Sequence, residues 1–421
     1  MTIAVDPSCA DPVDTGSIPA DDALRRILSS ITPLEAAERV NLRPALGRIL
    51  AEDLHSAVAV PGHTNSAVDG YAVAGSELPE AGAAELTVLG SSFAGRPFHG
   101  RVGPGQCVRI MTGAVMPEGT DTVVMQEHAE RIDDCRIRID DRNEALQNTR
   151  RAGEDIERGD MVLARGRRLE PADLGLLASL GINEISVVRR PRVAFFSTGD
   201  ELRSIGEPLR PGEVYDSNRY TLYGMLTRLG VHIVDMGVVK DTPEATLAAF
   251  RSAADNADVV VTSGGVSVGE ADYIEHSLTE LGEIDFRKVA MKPGRPLTFG
   301  RISRSWFFGL PGNPVAVMVT FYLFVQPALR HLMGEKFAAP LLLEARSETA
   351  LRKKAGRAEY QRGILVIDSD GTLTVRRTGP QGSGILTSMS QANCFIVPPV
   401  EQESVEAGSR VPVIPFSEFR V

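Results

Sequence analysis

The sequence predicts a multidomain protein of the α/β plus β class, with a doubly wound α/β domain set between mainly β segments. At 421 residues, the chain exceeds the length at which a single hydrophobic core stops growing, so several domains are expected. Between residues 191 and 340, short apolar strands alternate with helical patterns, which is typical of a doubly wound parallel sheet. Much of the remaining sequence consists of short segments rich in Val, Thr and Gly, separated by turn signals, and this favours β structure.

The composition is that of a soluble globular protein and excludes several classes of function. Hydrophobic residues make up 43% of the chain and charged residues 24%. The net charge of −10 argues against a nucleic-acid partner, because such a surface needs a basic face. Any anionic ligand must therefore be held by local cations. The four cysteines are Cys9, Cys107, Cys135 and Cys394. They form no C-x-x-C pair, which excludes a zinc ribbon and gives no sign of a disulfide framework.

No segment of the sequence indicates export or a membrane span. The N-terminus lacks a basic stretch followed by an apolar one, so no signal peptide is predicted. With reduced cysteines as the default, we expect the protein in the cytoplasm. Val315–Val325 is strongly apolar, but eleven residues are too few to cross a bilayer. We therefore interpret this segment as a buried core helix and expect no membrane partner.

The first half of the chain is predicted to form a linker domain with a β module inserted into it. Residues 1–20 lack periodicity and are expected to be a flexible tail. Residues 56–147 form the mainly β module. Because residues 21–55 and 148–190 flank that module, they are predicted to form one discontinuous linker domain. Its helical patterns are Ala23–Ser30, one near Pro44–His55, and one from near Pro171 to Gly181.

The α/β domain is predicted at residues 191–340. A helix fits Arg219–Leu229, with Asn218 available as its N-cap and Gly230 just past its end. A second helix opens at Asp241-Thr242-Pro243-Glu244, because Pro favours the first turn and Glu lies three residues after Asp241. A long helix follows Pro314. The strands are predicted at Arg192–Ser197, Val231–Val239, Val259–Thr262, Ile284–Ala290, Leu297–Phe299 and Trp306–Leu310.

The C-terminal segment, residues 341–421, is predicted to form a small β-barrel-like domain. Its clearest local signal is Asp370-Gly371, a turn dipeptide between two β-type runs at Ile364–Ile367 and Thr372–Arg376. This arrangement indicates a hairpin.

The most informative stretch is the loop that follows the buried strand at Val259–Thr262. It includes Ser263, Gly264, Gly265 and Ser267, and a helical pattern opens at Glu270. A glycine-rich loop before a helix N-terminus offers backbone N–H groups and the positive end of a dipole, which suits a phosphate. Asp272 lies one turn into that helix, where a carboxylate is placed to hold a metal on the phosphate. The alternative is an ordinary strand-to-helix turn, which the glycines taken alone favour.

Four polar loops follow predicted strands, and ligands bind at the carboxyl ends of strands in doubly wound domains. We therefore expect these loops to converge: Thr198–Glu201, Ser263–Asp272, Lys292–Pro296 and Pro311–Pro314. Asp200 and Glu201 are either part of a helix N-cap region or carboxylates that face the phosphate loop. Lys292 and Arg295 lie in a turn made rigid by prolines, which favours an oxyanion site, although basic loop residues are usually solvated.

Polar motifs in and just after the β module are ambiguous on local grounds. Asp69 interrupts an apolar run, but Asp before Gly is more often a turn former than a catalyst. The motifs Arg109-Ile-Met-Thr112-Gly113 and Gly153-Glu154-Asp155 are equally open. The seven histidines show no metal-ligand spacing and no nucleophile–base pair.

Taken together and in order, these motifs resemble those of the molybdopterin molybdenumtransferases, the family of the bacterial MoeA proteins and the E domain of gephyrin. The resemblance runs from about residue 20 to the C-terminus. The loop at 262–273 is shared more widely with molybdopterin adenylyltransferases. The motifs are Ser66-Ala-Val-Asp69-Gly-Tyr-Ala, Arg109-Ile-Met-Thr112-Gly-Ala, Gly153-Glu-Asp155, Ser197-Thr-Gly-Asp-Glu201, the 262–273 loop, Lys292-Pro-Gly-Arg295-Pro and Leu310-Pro-Gly-Asn-Pro314.

The resemblance implies an elongated, four-domain homodimer that inserts molybdate into adenylylated molybdopterin and releases AMP, with Mg²⁺ as cofactor. It implies that the α/β domain of one chain faces the β module of the other. The catalytic residues implied are Asp69, Thr112, Glu201, Asp241 and Asp272, with Glu201, Asp241 and Asp272 orienting Mg²⁺ or its waters. The residues implied in binding substrate or molybdate are Ser263, Gly264, Gly265, Ser267, Lys292, Arg295, Pro311, Pro314, Arg357, Arg362, Ser383 and Ser388.

Two departures from the family pattern affect the proposed oxyanion site. Arg295 stands where members often have Lys, which keeps the charge but changes the geometry, and Ala316 stands where many have Ser. The nearest alternative function is a molybdopterin adenylyltransferase, although those enzymes resemble only the α/β domain. The alternative from a different functional class is a scaffold protein like gephyrin. The resemblance leaves open whether an adenylyltransferase hands over the substrate, and whether the oxyanion is molybdate or tungstate.

Overall fold

The computed structural model describes residues 16–264 and 280–419, which form a multidomain α/β plus β architecture, as the sequence predicts. Gly265, Ser267 and Asp272 lie outside these residues, as do the helix predicted to open at Glu270 and residues 1–15 of the predicted tail. The helices are α1 (Ala20–Ser30), α2 (Pro171–Ser179), α3 (Ser217–Leu229), α4 (Pro243–Asn256), α5 (Pro314–Leu332) and α6 (Leu386–Gln391). Helix α5 contains a π-helical segment at Phe321–Val325, and short 3₁₀ turns lie at Arg43–Ala45, Gly75–Glu77, Gln126–His128 and Phe416–Phe419.

A mixed six-stranded sheet lies within the segment predicted as the β module. Its strand order is β7-β4-β6-β5-β9-β8, and one of its faces covers an apolar core that includes Val73, Val124 and Ile137. The strands of the first half of the chain are β1 (Ala37–Asn41), β2 (Leu54–His55), β3 (Asn65–Ser66), β4 (Gly70–Val73), β5 (Ala83–Ser92), β6 (Gln106–Ile110), β7 (Thr122–Met125), β8 (Ala129–Arg131), β9 (Arg136–Asp140), β10 (Thr149–Arg150), β11 (Met161–Leu163) and β12 (Glu184–Val188).

Antiparallel pairing joins the segments on either side of this sheet. Strand β1 pairs with β12, and β2 pairs with β11. The prediction of a helix near Pro44–His55 is wrong. After one 3₁₀ turn, Ile49 and Leu50 instead form antiparallel bridges to Arg168 and Val187. These partners lie more than a hundred residues away, so long-range pairing overrides the local helical pattern.

Helix α1 packs against the α/β core rather than the linker core. Ala23 and Ile27 are fully buried in the same apolar cluster as residues of α3 and α5. Just before the helix, Ile18 forms a parallel bridge with Val289. These contacts correct one boundary, because residues 18–20 are not part of a tail. Helix α1 lies in the segment predicted as linker domain, but its apolar face packs on the α/β core.

The α/β sheet has the strand order β16-β13-β17-β21-β20-β18. Its first four strands are parallel, whereas β20 runs antiparallel to both β21 and β18. The turn at Ser303, which has a φ of 51°, reverses the chain between β20 and β21. The strands of this region are β13 (Arg192–Thr198), β14 (Leu202–Arg203), β15 (Val214–Tyr215), β16 (His232–Val239), β17 (Val259–Ser263), β18 (Gly282–Lys288), β19 (Met291–Lys292), β20 (Pro296–Ile302) and β21 (Ser305–Leu310).

Helices cover both faces of this sheet, as expected of a doubly wound domain. Along β13, Val193 and Phe195 pack with α1, α3 and α5, whereas Ala194 and Phe196 pack with α4. Because successive strand residues point to opposite faces, a strand buried on both sides must be apolar throughout. The run of apolar residues that identified β13 in the sequence follows from this burial.

The starts of two helices differ from the sequence prediction. Asp216, not Asn218, caps α3, and its carboxylate accepts a hydrogen bond from the Arg219 amide at 3.1 Å. Thr242, not Asp241, caps α4. The predicted end of α3 is confirmed, since Gly230 adopts a left-handed conformation there. Both corrections leave Asn218 and Asp241 available for other contacts.

The C-terminal region forms a closed barrel with the strand order β22-β26-β25-β27-β29, which confirms the predicted barrel-like fold. The predicted hairpin joins β25 and β26, and Gly371 adopts a φ of 83° in its turn. The strands are β22 (Leu343–Ser347), β23 (Leu351–Arg352), β24 (Ala358–Glu359), β25 (Gln361–Ile367), β26 (Leu373–Arg377), β27 (Cys394–Ile396), β28 (Ser404–Val405) and β29 (Arg410–Pro415).

Helix α5 is the core helix predicted from Val315–Val325. By length and composition it could cross a membrane, but 67% of its most apolar window is buried inside the fold. Val317, Phe321 and Leu329 are fully buried in the α/β core.

A buried ionic cluster follows α5 and ties it to the linker domain. Arg168 donates a hydrogen bond to Glu335 at 2.9 Å, and Arg330 pairs with the other oxygen of the same carboxylate. Burial alone would raise the pKa of Glu335, but the hydrogen bonds from Arg330 and Arg168 outweigh burial and hold this pKa below its usual value.

Candidate functional site

Three of the predicted polar loops meet at one edge of the α/β sheet. Strands β13, β17 and β21 are parallel neighbours, so their carboxyl ends lie side by side. Gly264 follows β17, and its amide donates a hydrogen bond to the Leu310 carbonyl at 3.2 Å. A Cβ atom on Gly264, whose φ is 92°, would lie 2.5 Å from the Thr198 carbonyl oxygen. Only glycine fits here, and its N–H is already used, which corrects the expectation that this amide faces a phosphate.

Asn218 links these loops and was missed as a site residue. Its side-chain amide donates hydrogen bonds to Ser263 Oγ at 2.8 Å and to the Gly312 carbonyl at 2.7 Å. It thereby joins the end of β17 to the Pro311–Pro314 loop. The available signal was the run Asp216-Ser217-Asn218, because three consecutive residues suited to capping cannot all cap one helix.

Several buried polar atoms at this edge have no hydrogen-bond partner among the described residues. They are Ser197 Oγ, Thr198 Oγ1, Asp216 Oδ2, Asn218 Oδ1 and Thr262 Oγ1. A buried polar atom without a partner is costly, and such atoms are rare in folded proteins. Ser197, Asp216 and Asn218 lie on the α3 side of the sheet, whereas Thr198 and Thr262 lie on the α4 side, so unpartnered polar atoms surround the carboxyl ends of β13 and β17 from both faces. This arrangement fits a site built to hold a polar ligand.

A group of acidic residues lies beside this edge. Burial, followed by repulsion from Asp200 and Glu201, raises the pKa of the Asp241 carboxyl. The Glu201 carboxylate folds over Gly199, where an added Cβ atom would lie 2.7 Å from Glu201 Oε2. Within residues 16–264 and 280–419, none of the three forms an ion pair, and no cluster of three or more acidic, His or Cys residues has the geometry of a metal site.

The turn at Lys292–Pro296 lies between the α/β domain and the C-terminal domain. Strand β19 pairs with β24, which places Lys292 Nζ 3.6 Å from an oxygen of the buried Glu359 carboxylate. A Cβ atom on Gly294 would lie 2.5 Å from the Thr320 side chain, so the turn packs closely on α5. Arg295 is half-buried in the same turn. The predicted cation pair is therefore held by packing from two domains.

The C-terminal domain reaches the start of α5 through the loop at residues 379–385. The Ser383 carbonyl accepts a hydrogen bond from the Val315 amide at 3.0 Å, next to the predicted site residue Pro314. Arg362 is buried, and it donates hydrogen bonds to Ser388 Oγ and to the Gly382 carbonyl, each at 3.0 Å. Burial lowers the pKa of Arg362 to about 10. Arg362 and Ser388 therefore position the loop that carries Ser383.

Arg357 and Ala316 complete the predicted set in this region. The buried Arg357 Nε atom has no hydrogen-bond partner among the described residues. Its charge adds to the burial that lowers the pKa of Lys353, an ammonium that donates to three backbone carbonyls. Ala316 is buried in the first turn of α5, so this position carries a methyl group in place of the hydroxyl that the family resemblance implies for many members.

In the β module, the structure brings Asp69 and Thr112 together. Asp69 Oδ1 accepts hydrogen bonds from the Thr112 amide and hydroxyl, both at 2.7 Å. The backbone hydrogen bond and then the hydroxyl hydrogen bond lower the pKa of Asp69, with help from the Arg109 charge. Gly70 opens strand β4 rather than a turn, because a Cβ atom there would lie 2.0 Å from the Val124 carbonyl oxygen. Asp69 itself is the last residue of the bend between β3 and β4, so a turn position and the bonds to Thr112 occur together.

The predicted residues thus fall into separate groups. No hydrogen bond or ion pair joins Asp69 or Thr112 to the α/β-domain residues within the part of the chain that the structure describes. The sheet edge, the Lys292 turn and the Ser383 loop all border α5.

Comparison with known proteins identifies the family. Residues 18–181 match the MoeA N-terminal region (domains I and II), residues 194–331 a probable molybdopterin-binding domain, and residues 344–416 the MoeA C-terminal region (domain IV). The chain is 43% identical to a molybdopterin molybdenumtransferase from Haemophilus influenzae, over 95% of this chain and 98% of that relative. The chain belongs to the MoeA family of molybdopterin molybdenumtransferases. The resemblance seen in the sequence is confirmed.

Two further members show how far the MoeA similarity extends. Gephyrin from Dictyostelium discoideum is 33% identical over 94% of this chain and 62% of its own length. The crystal structure of a molybdopterin biosynthesis MoeA protein from Pyrococcus horikoshii matches with a TM-score of 0.80 and 33% identity, covering 95% of this chain and 99% of that one. The MoeA architecture therefore covers nearly all of the chain.

Proposed function

We propose that this protein works in molybdenum cofactor biosynthesis by inserting molybdate into adenylylated molybdopterin, with release of AMP. The relatives named molybdopterin molybdenumtransferase support this proposal because they match over 90% or more of this chain. The adenylyltransferase alternative accounts for the α/β domain alone, whereas the MoeA N-terminal and C-terminal regions also match. The scaffold alternative depends on gephyrin, of which this chain matches 62%.

One structural observation carries the proposal. The carboxyl ends of β13, β17 and β21 present buried hydroxyls of Ser197, Thr198 and Thr262 that have no partner among the described residues. Cleavage of the phosphoanhydride between AMP and molybdopterin develops charge on phosphate oxygens. Fixed hydroxyl donors in a site shielded from water stabilise such charge strongly, because they need no reorganisation.

In this proposal, residues at one end of the site bind the pterin phosphate and residues at the other end bind molybdate. Asn218 holds Ser263 and the Gly312 carbonyl in place, which fixes the spacing of the loops that receive the pterin phosphate. Lys292 and Arg295 supply positive charge for molybdate in a protein whose net charge is negative. The hydrogen bonds from Thr112 orient Asp69 and favour its ionised form, so it can accept a hydrogen bond from the substrate.

Mg²⁺ is the implied cofactor, and the carboxylates present fit it in chemistry. Hard oxygen ligands suit Mg²⁺. Burial and then repulsion from Asp200 and Glu201 raise the pKa of Asp241, and a divalent cation would relieve that repulsion. We propose that Glu201, Asp241 and Asp272 hold it. When bound, Mg²⁺ would neutralise charge that develops on the phosphate oxygens.

An AMP-release assay tests the proposal. Purified protein is incubated with adenylylated molybdopterin, molybdate and Mg²⁺, and AMP is measured by chromatography. Molybdate-dependent AMP release is the expected result. If the protein instead forms pyrophosphate from molybdopterin and Mg-ATP, it is an adenylyltransferase, and if neither product appears, the enzymatic proposal fails.

A matched pair of variants tests the acidic group. Asp241→Asn should abolish most of the AMP release, because an amide is a poorer ligand for a hard cation. Asp255→Asn is the control, since Asp255 is an exposed acidic residue of α4 in the same domain. Equal activity in the two variants would remove Asp241 from the site.

We also propose a cytoplasmic homodimer in which each site draws Asp69 from one chain and Asp272 from the other. Asp69→Ala and Asp272→Ala should each be inactive. Refolded together, half of the dimers are mixed and each mixed dimer has one intact site, so roughly a quarter of wild-type activity should return. No recovery in a sample shown to exchange subunits would contradict the shared site.

A further inference from the structure

A pocket separate from the proposed active site lies between the linker domain and the α/β domain. It encloses about 320 Å³, within the range of pockets that hold small molecules. Its walls come from the segments at residues 46–49 and 168–171 on one side and residues 228–230 and 333 on the other. Neither group belongs to the proposed active site.

Helix α3 separates the two sites. Asp216 and Asn218 lie at the N-terminal end of α3, whereas Arg228, Leu229 and Gly230 line the pocket at its C-terminal end. With a rise of 1.5 Å per residue, these ends are about 18 Å apart. A ligand in the pocket would not touch the loops that gather at the sheet edge.

The inner walls of the pocket are apolar. Ile49, Val188, Leu229 and Met333 line it and are mostly covered by protein, so each shows only a small apolar area, to which the half-exposed Leu46 adds at the rim. These side chains offer an apolar or aromatic group a favourable surface without a hydrogen-bond requirement.

The pocket also carries positive charge that the protein does not neutralise. Arg190 and Arg228 line it and are exposed, and neither guanidinium has a hydrogen-bond or ion-pair partner in the described parts of the chain. Arg168 uses two nitrogens to bind Gly47 and Glu335, while its buried Nε has no partner among the same residues. Glu170 is the acidic residue that lines the pocket, and its charge interacts with Arg167, which does not line the pocket.

We propose that this interdomain pocket binds a small organic anion, in which an apolar or aromatic body carries a carboxylate or phosphate. The body lies against the apolar wall and the anionic group lies between Arg190 and Arg228. Guanidinium groups bind both kinds of oxyanion through paired hydrogen bonds. Because its walls come from two domains, the pocket's ligand holds the linker domain and the α/β domain together.

Calorimetric titration with 1-naphthoate, 1-naphthyl phosphate and neutral 1-naphthol tests the proposal. The naphthalene ring is common to the three probes, so the head group alone distinguishes them. At least one anion should bind with a Kd below about 1 mM, and naphthol at least tenfold more weakly. Binding of only one anion identifies the head group. Equal binding of naphthol, or no binding by either anion, overturns the proposal.

Variants locate the binding. Arg190→Gln and Arg228→Gln should each raise the Kd about tenfold, and Leu46→Glu should do the same by adding negative charge at the half-exposed rim. Arg158→Gln is the matched control, because Arg158 is exposed and does not line the pocket. Lys292→Ala should also leave the Kd unchanged, which excludes binding in the proposed active site. An unchanged Kd in all three pocket variants, each with a wild-type circular dichroism spectrum, would place the anion elsewhere.

Discussion

Replacement of Asn218 by alanine tests whether the sheet edge is built as the structure describes. The substitution removes an amide that donates to Ser263 Oγ at 2.8 Å and to the Gly312 carbonyl at 2.7 Å. Asn218 is buried, so water cannot readily replace the lost donors. The two loops should then separate, and the substrate should bind more weakly.

The cost can be worked out from the two contacts. A hydrogen bond of this kind contributes about 0.5–1.5 kcal/mol, so the loss of both lowers the free energy of unfolding by about 1–3 kcal/mol. In Ser263→Ala the acceptor of one contact is removed. In a double-mutant cycle, Asn218 and Ser263 should show a coupling energy of about 0.5–1.5 kcal/mol.

Urea unfolding, monitored by tryptophan fluorescence, measures this decrease in the free energy of unfolding of the α/β domain. Trp306 is the only tryptophan of the chain and lies in β21, beside β17. Asn256→Ala is the control, because its amide bonds the Ser252 carbonyl on an exposed helix end and should cost less than about 0.5 kcal/mol. If Asn218→Ala is as stable as this control and shows no coupling to Ser263, the proposed link between the loops is refuted.

Three further substitutions give distinct results. Asp241→Asn should raise the melting temperature at neutral pH while abolishing AMP release. The pKa of Asp241 is raised in the folded protein, so the stability of the fold decreases as pH rises and the carboxyl ionises. A neutral amide at this position avoids that loss. Glu335→Ala should lower the free energy of unfolding, measured in urea, by about 3–5 kcal/mol, because it leaves Arg168 without its buried partner. Asp22→Asn is the control, since Asp22 belongs to an exposed ion pair and its loss should cost at most about 1 kcal/mol. The Glu335 contribution should disappear as pH falls through its lowered pKa, which unfolding curves at several pH values measure. Gly264→Ala should lower stability by about 1–3 kcal/mol in the same fluorescence assay, since its Cβ meets a backbone carbonyl at 2.5 Å.

Local sequence signals predicted the elements whose form depends on nearby residues. The β13 strand, the end of α3 at Gly230 and the hairpin at Gly371 all follow from burial pattern or turn chemistry within a few residues. The segment near Pro44–His55 was mispredicted because its backbone pairs with residues more than a hundred positions away. The packing of α1 on the α/β core depends likewise on contacts with α5 that no local pattern contains.

The candidate site shows the same division. The motifs that carry Glu201, Ser263 and Lys292 could be found by type and order, because their residues suit phosphate, metal or oxyanion chemistry. The role of Asn218 could not be found in this way. Three adjacent residues were equally good caps, and only the folded chain shows that Asp216 caps the helix while Asn218 turns inward to Ser263. The bond between Asp69 and Thr112 also joins residues far apart in the sequence.

The packing of α1 against α5 has a consequence for the order of events during synthesis. The ribosome makes α1 first, but α5 ends at residue 332, about 300 residues later. At about 5–20 residues per second, roughly 15–60 seconds pass before the apolar face of α1 meets its partner. During that interval the linker segments and the β module can fold and close on themselves, while Ala23 and Ile27 remain in water. The nascent chain therefore carries the apolar face of an amphipathic segment uncovered near its start until translation is four-fifths complete.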